Sequence, residues 1–237
     1  MCFLQKTLIL KKLISMQKIS ELILYKDNQL LILNKPAGLS VQSDQSDSKS
    51  LQDLASIYCK SNVQAPHRLD RPTSGIVVFA KTPKALRVLS EQFKHGQVKK
   101  SDLALVEKKA IKTPQTLKHW LKHLKRSNKT LVFDQEEVDT KSSELQFSVL
   151  GNTDKYQVLK INPITGRTHQ IRAQLAHIGL PIKGDVKYGF RRSERDRSIF
   201  LHAHEMEVTH PVSGEKILIK APLPENNLWN AIQTFIQ

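Results

Sequence analysis

His67-Arg68-Leu69-Asp70-Arg71-Pro72-Thr73-Ser74-Gly75 runs straight into Ile76-Val77-Val78-Phe79-Ala80. The second half is an unbroken apolar run rich in β-branched residues, and it predicts a buried strand. The first half sets one acid, Asp70, between two arginines and ahead of a Pro-Thr-Ser-Gly turn. Polar groups just before a buried strand are presented on a rigid rim. The guanidinium groups of Arg68 and Arg71 favour the ionised form of a carboxylate between them. Taken alone, the stretch fits two readings: a chemically active acid, or an Asp–Arg pair that orders a surface turn.

On its N-terminal side, Leu22-Ile23-Leu24-Tyr25 and Leu30-Leu31-Ile32-Leu33 flank Lys26-Asp27-Asn28 and predict a hairpin, ended by the turn Lys35-Pro36-Ala37-Gly38. Residues 42–50 are rich in Ser, Asp and Gln and read as a loop, and 51–60 read as a short amphipathic helix. On the C-terminal side, 83–95 predict a helix stopped by Gly96, and 99–107 a strand. Residues 108–129 are heavily basic, with Lys118, His119, Lys122, His123, Lys125 and Arg126 around Trp120. They read as a solvated basic hairpin or as an arm that tracks phosphates, the second being favoured. Residues 145–150 and 156–161 predict a strand pair, 168–177 a helix closed by Gly179, 199–204 and 217–219 late strands, and 228–236 a final helix. Strands predominate and no repeat or long linker interrupts them. The fold class is α/β (α+β), one domain over 21–237 with a mixed, largely antiparallel sheet and flanking helices. Residues 1–20 are an N-terminal extension to which no function is given, and Met16 is an alternative start to Met1.

Composition narrows the function classes. Of 237 residues, 39% are hydrophobic and 25% charged, as in ordinary globular proteins. Lys and Arg number 37 against 22 Asp and Glu, a net charge of +15 that predicts attraction to a polyanion, most simply nucleic acid. Cys2 and Cys59 show neither a pairing pattern nor metal-type spacing, which fits a reducing cytoplasm. No apolar run approaches the ~18 residues that span a bilayer, so no membrane partner is expected. Lys6, Lys11 and Lys12 break the apolar N-terminus, against a signal peptide. His202, His204 and His210 lack a further ligand at suitable spacing and read as core or rim histidines, so no metal is expected. Without a coiled-coil or large apolar surface pattern, a monomer is the default.

A second motif decides between the readings of Asp70. Asn162-Pro163-Ile164-Thr165-Gly166-Arg167-Thr168-His169-Gln170-Ile171-Arg172 follows a strand and opens a helix. A Thr-Gly turn there leaves backbone N–H groups for phosphate, while Arg167 and Arg172 add charge and His169 and Gln170 directional hydrogen bonds. With 67–75, with Gly179-Leu180-Pro181-Ile182-Lys183-Gly184-Asp185 and Tyr188-Gly189, with Leu201-His202-Ala203 and with Asn34-Lys35-Pro36-Ala37-Gly38, the chain resembles the RluA-type family of RNA pseudouridine synthases. The motifs occur in order from about residue 24 to 223.

The resemblance implies an isomerase that converts uridine to pseudouridine in rRNA or tRNA, cutting the N1–C1′ bond and rejoining the base through C5, without cofactor or metal. It makes Asp70 the catalytic aspartate, either attacking C1′ or taking the 2′ hydrogen, and Arg167 the arginine paired with it. It makes His67, Arg68, Arg71, Thr73, Asp102, Thr168, His169, Gln170 and Arg172 candidates for substrate binding. One position departs from the pattern. The family carries tyrosine in Lys-x-Tyr-x-Ala-x-Val, where this chain reads Lys100-Ser101-Asp102-Leu103-Ala104-Leu105-Val106. A carboxylate cannot stack on uracil, so weakened or altered catalysis is expected, with a non-catalytic RNA-binding or chaperone-like relative as the alternative. No N-terminal RNA-binding module of the kind many relatives carry is expected in 1–20, which leaves RNA affinity to 108–129 and to Arg191, Arg192, Arg195 and Arg197.

Overall fold

The computed structural model describes residues 19–43 and 49–236. The expectations placed on 1–18, including the choice between Met1 and Met16, and on most of the 42–50 loop lie outside the described residues. Strands β1 (Ile23–Lys26) and β2 (Leu30–Lys35) form the expected hairpin, closed by Asp27, whose carboxylate accepts the N–H groups of Gln29 and Leu30 at 2.7 Å each. Helix α1 (Leu51–Cys59) starts on a capping box, Ser50 and Asp53 satisfying each other's backbone N–H. Strand β3 (Ser74–Ala80) leads to helix α2 (Pro83–Lys94), with Thr82 as cap and proline at its first position, where a missing N–H costs nothing. Then come β4 (Lys99–Glu107), β5 (Gln115–Leu124), β6 (Lys129–Phe133), β7 (Lys141–Asn152) and β8 (Tyr156–Pro163). Helix α3 (Gln170–His177), strands β9 (Leu201–Thr209) and β10 (Lys216–Lys220) and helix α4 (Asn227–Ile232) complete the order.

These strands form one sheet in the order β1-β2-β3-β9-β4-β8-β7-β5-β6, with β10 also on β9. The pairings are antiparallel except for a short parallel contact of β3 with β9. Strands β2 and β3 are buried on both faces. Leu31, Leu33, Val77 and Phe79 pack under α1, while Leu30, Ile32, Ile76 and Val78 pack against α2 and β10. Double-sided burial is why 76–80 reads as a continuous apolar run rather than an alternating one. A second core gathers β4, β7 and β8 with Leu175 of α3 and Trp229 and Ile232 of α4.

The two cores meet where Gly75, Ala203, Asp102 and Ile161 face one another in turn across β3, β9, β4 and β8. Gly75 has φ +115°, and a β-carbon there would fall on the backbone of Ala203. Gly75→Ala is therefore expected to destabilise the fold by about 2–4 kcal/mol. Urea unfolding measures this, and an unchanged midpoint would mean that β3 and β9 separate freely.

Of the two readings of the basic segment, the structure has the hairpin, β5 and β6 lying at the far edge of the sheet. Leu117 and Leu121 are buried there, Lys118 pairs with Glu144 at 3.5 Å and Lys122 with Asp139 at 3.3 Å. The last helix is shorter than expected, a 3-10 turn (Gln233–Phe235) following α4.

Candidate active site

The loop that carries Asp70 is tied down by the turn after β2. Lys35 is fully buried, and its Nζ donates to the carbonyls of Pro36 (3.0 Å), Leu39 (2.9 Å) and Arg71 (3.2 Å). Burial lowers its pKa to about 7, against the nearby Asp70 charge, which supports the ammonium. Gly38 N–H donates to the Arg71 carbonyl at 2.7 Å, and Arg71 Nε returns a bond to Gly38 O at 2.9 Å. Arg71 is thus a clamp between two turns rather than a neighbour of the acid, and of the catalytic and substrate-binding candidates it alone lies off the pocket wall.

The charge that meets Asp70 comes from α3. Arg172 Nη1 donates to Asp70 Oδ2 at 2.8 Å, while its Nε and Nη2 grip both oxygens of Asp185 at 2.7 and 2.9 Å. Arg172 and Asp185 are almost wholly buried, and the guanidinium lies 5.0 Å from the centre of the Tyr188 ring. Burial works against its charge, but Asp185 and Asp70 outweigh that and leave the group more basic than an ordinary arginine. This corrects the expected pairing. Arg167 is exposed on the rim, with Nε on the Ser142 carbonyl at 3.1 Å. It precedes the first turn of α3, whereas Arg172 lies within the helix on the side facing the core. The sequence did hold a signal: an arginine set among Ile171, Ala173 and Leu175 must be buried, and a buried arginine needs carboxylates.

His169, with φ +55°, caps α3 and sets Nδ1 2.8 Å from the Tyr188 hydroxyl and Nε2 3.7 Å from Asp70 Oδ2. The same hydroxyl accepts the Thr130 N–H at 2.8 Å, and Thr130 Oγ1 donates to Thr168 O at 2.8 Å. Burial lowers the His169 pKa to about 4 despite the Asp70 charge, so the ring is neutral. Gln170 does not face outward as a free donor. Its Oε1 accepts from Thr165 Oγ1 and from the Arg167 N–H, and its Nε2 donates to Glu144 O. One of the N–H groups expected to be open to phosphate is therefore taken. His67 accepts the Val78 N–H at 3.0 Å and stacks on Phe93, its pKa pushed to about 3 by burial and then by Lys100. Of the histidines read as core or rim, buried His202 bonds Ser74 Oγ at 2.8 Å, His204 the Ala221 carbonyl, and His210 lies 2.9 Å from Asp27.

His67, Asp70, His169, Gln170 and Arg172 line one cavity of about 990 Å³ between the 67–73 loop, β4 and the 162–172 turn, a size that admits a nucleotide with flanking backbone. Arg68, Lys94, Lys99 and Arg167 stand on its rim, and Thr73 and Asp102 in its wall. Asp102 is buried, and burial raises its pKa to about 7, with Lys100 partly opposing. A carboxyl whose folded value lies above its ordinary 3.8 stabilises the fold fully below about pH 4, and that contribution is lost as pH rises through about 7. Comparing urea unfolding of the native protein and Asp102→Asn from pH 4 to 8 should show a gap widening in favour of asparagine, by up to about 4 kcal/mol. Parallel curves would mean that water reaches the carboxyl freely.

A sequence model of the family described as "RNA pseudouridylate synthase" matches residues 29–177, which hold Asp70, Asp102 and Arg172. This chain belongs to the RNA pseudouridylate synthase family. A ribosomal large subunit pseudouridine synthase C of Buchnera aphidicola subsp. Baizongia pistaciae is 37% identical over 221 residues, 86% of this chain and 67% of the relative. Its namesake from Escherichia coli K12 is 34% identical over 223 residues, 87% and 68% of the two chains. The solved human RNA pseudouridylate synthase domain containing 4 shares the fold, with a TM-score of 0.76 over 95% of this chain and 96% of the other at 21% identity. Human domain containing 1 gives 0.72 over 88% and 86% at 25% identity. Among the described residues, no helix is long and apolar enough to cross a membrane.

Proposed function

We propose that this chain isomerises uridine to pseudouridine in ribosomal RNA, with Asp70 as the catalytic group. The observation that carries the reading is the Asp70–Arg172–Asp185 chain in the wall of a basic-rimmed cavity. Arg172 occupies Oδ2 and leaves Oδ1 of Asp70 for the ribose. A fixed guanidinium keeps the carboxylate oriented without a mobile counter-ion, as attack at C1′ or removal of the 2′ hydrogen requires. The N1–C1′ bond breaks, the uracil turns, C5 bonds to C1′, C5 loses its proton and N1 gains one. The target base must leave its stack to reach the cavity, and the rim cations hold the backbone while it does.

The names of the relatives 34–37% identical to it point to large-subunit ribosomal RNA. Incubating the protein with ribosomal RNA fragments and with tRNA, then mapping pseudouridine at single-nucleotide resolution, tests the reading. A ribosomal uridine converted at a defined position supports it. RNA binding with no conversion of any substrate overturns it in favour of a non-catalytic RNA-binding relative, which Asp102 in the tyrosine position keeps in view. Gain of turnover by Asp102→Tyr would then identify that residue as the cause. Arg68→Glu with Arg167→Glu is expected to weaken RNA binding and lower the slope of log K against log salt by about 2. An unchanged slope would place the RNA backbone elsewhere.

A further inference from the structure

Outside the cavity, three metal-ligating side chains meet on the edge of the sheet. His119 of β5, Asp134 just past β6 and His177 at the end of α3 bring their ligand atoms within 4.8 Å of one another. Both imidazole Nε2 atoms converge on one oxygen, Asp134 Oδ1, at 2.9 Å from His177 and 3.8 Å from His119. The rings stand edge to face with centroids 5.0 Å apart. We propose that His119, Asp134 and His177 bind a zinc ion that clips the C-terminal end of α3 to the β5–β6 hairpin.

The donor set selects the metal. Two imidazole nitrogens and one carboxylate suit Zn²⁺ with water in the fourth position, whereas Mg²⁺ and Ca²⁺ take oxygen ligands. His177 stands at the C-terminal end of α3, where the helix dipole favours a cation.

A surface His177–Asp134 hydrogen bond alone would explain neither the second histidine nor what lies behind it. The side chain of His119 is only 10% exposed, and its Nδ1 lies 3.0 Å from the amide nitrogen of Gln174. Gln174 is fully buried, and its Oε1 has no partner. Gln174 Nε2 also donates to the Leu117 carbonyl at 3.4 Å, so a buried amide holds the His119 ring in place behind its ligand atom. The cluster thus has three converging ligands, one of them oriented from the core. No sequence spacing announces it, since 119, 134 and 177 come from three separate elements.

Full-length protein stripped with EDTA and titrated with zinc chloride by calorimetry tests the site, with Co²⁺ absorption reporting the coordination. One equivalent of Zn²⁺ should bind and raise the unfolding temperature. His177→Ala and Asp134→Asn, both at exposed positions, should each weaken that binding more than about tenfold and remove the thermal shift. Equal unfolding temperatures of the metal-free variants and native protein confirm that the fold is kept. Absence of saturable zinc binding overturns the proposal, and so does binding undiminished in both variants, which would assign the metal to other side chains.

Discussion

Asp70→Asn eliminates pseudouridine formation, by at least about a thousandfold, while RNA affinity stays within about twofold of the native protein. The exchange is nearly isosteric and removes only the charge and nucleophilicity of the carboxylate. Arg172 remains anchored on both oxygens of Asp185, so the wall of the cavity keeps its shape and the fold its stability. Single-turnover conversion of a labelled RNA, beside a filter-binding titration, separates chemistry from binding. Conversion by Asp70→Asn within tenfold of the native rate would return Asp70 to the other reading of its sequence, a residue that orders a turn.

Arg172→Met destabilises the protein by about 3–5 kcal/mol and abolishes activity with it. The guanidinium is the cation shared by Asp70 and Asp185, and Asp185 is 1% exposed. Removing it leaves Asp185 buried without a cation and Asp70 without its ion pair. Arg172→Lys recovers only part of the loss, since an ammonium cannot bridge one carboxylate through two nitrogens and still reach a second. Arg167→Ala supplies the contrast. Its side chain is exposed and holds one backbone carbonyl, so stability should change by no more than about 0.5 kcal/mol. Urea unfolding of the three variants decides the matter, and equal losses from Arg167→Ala and Arg172→Met would show that the structural ranking of the two arginines is wrong.

That ranking marks the boundary of what sequence reading reached. The β1–β2 hairpin, α1, β3, α2, β4 and the β7–β8 pair were legible, because their apolar periodicity, caps and turn residues are local signals. So was Asp70, which lies between a turn and a run of buried residues. The apolar neighbours of Arg172 marked it as the buried arginine, but which carboxylates it meets was not legible, since charge has no direction in a sequence. Only the packing of α3 against the sheet turns one arginine inward to Asp185 and leaves the other in solvent.

The segment around Trp120 shows the same limit. Its lysines announce a basic surface, but Leu117 and Leu121 take one face into the core and make it a sheet edge. By itself, then, the sequence determined the strand-rich domain, the basic charge and the position of the acid at the head of β3. Tertiary structure decided which cation meets that acid, how Arg71 and Lys35 hold its loop, and that His119, Asp134 and His177 stand together. Those are contacts between residues far apart in the chain, and they exist only once the sheet has closed its order.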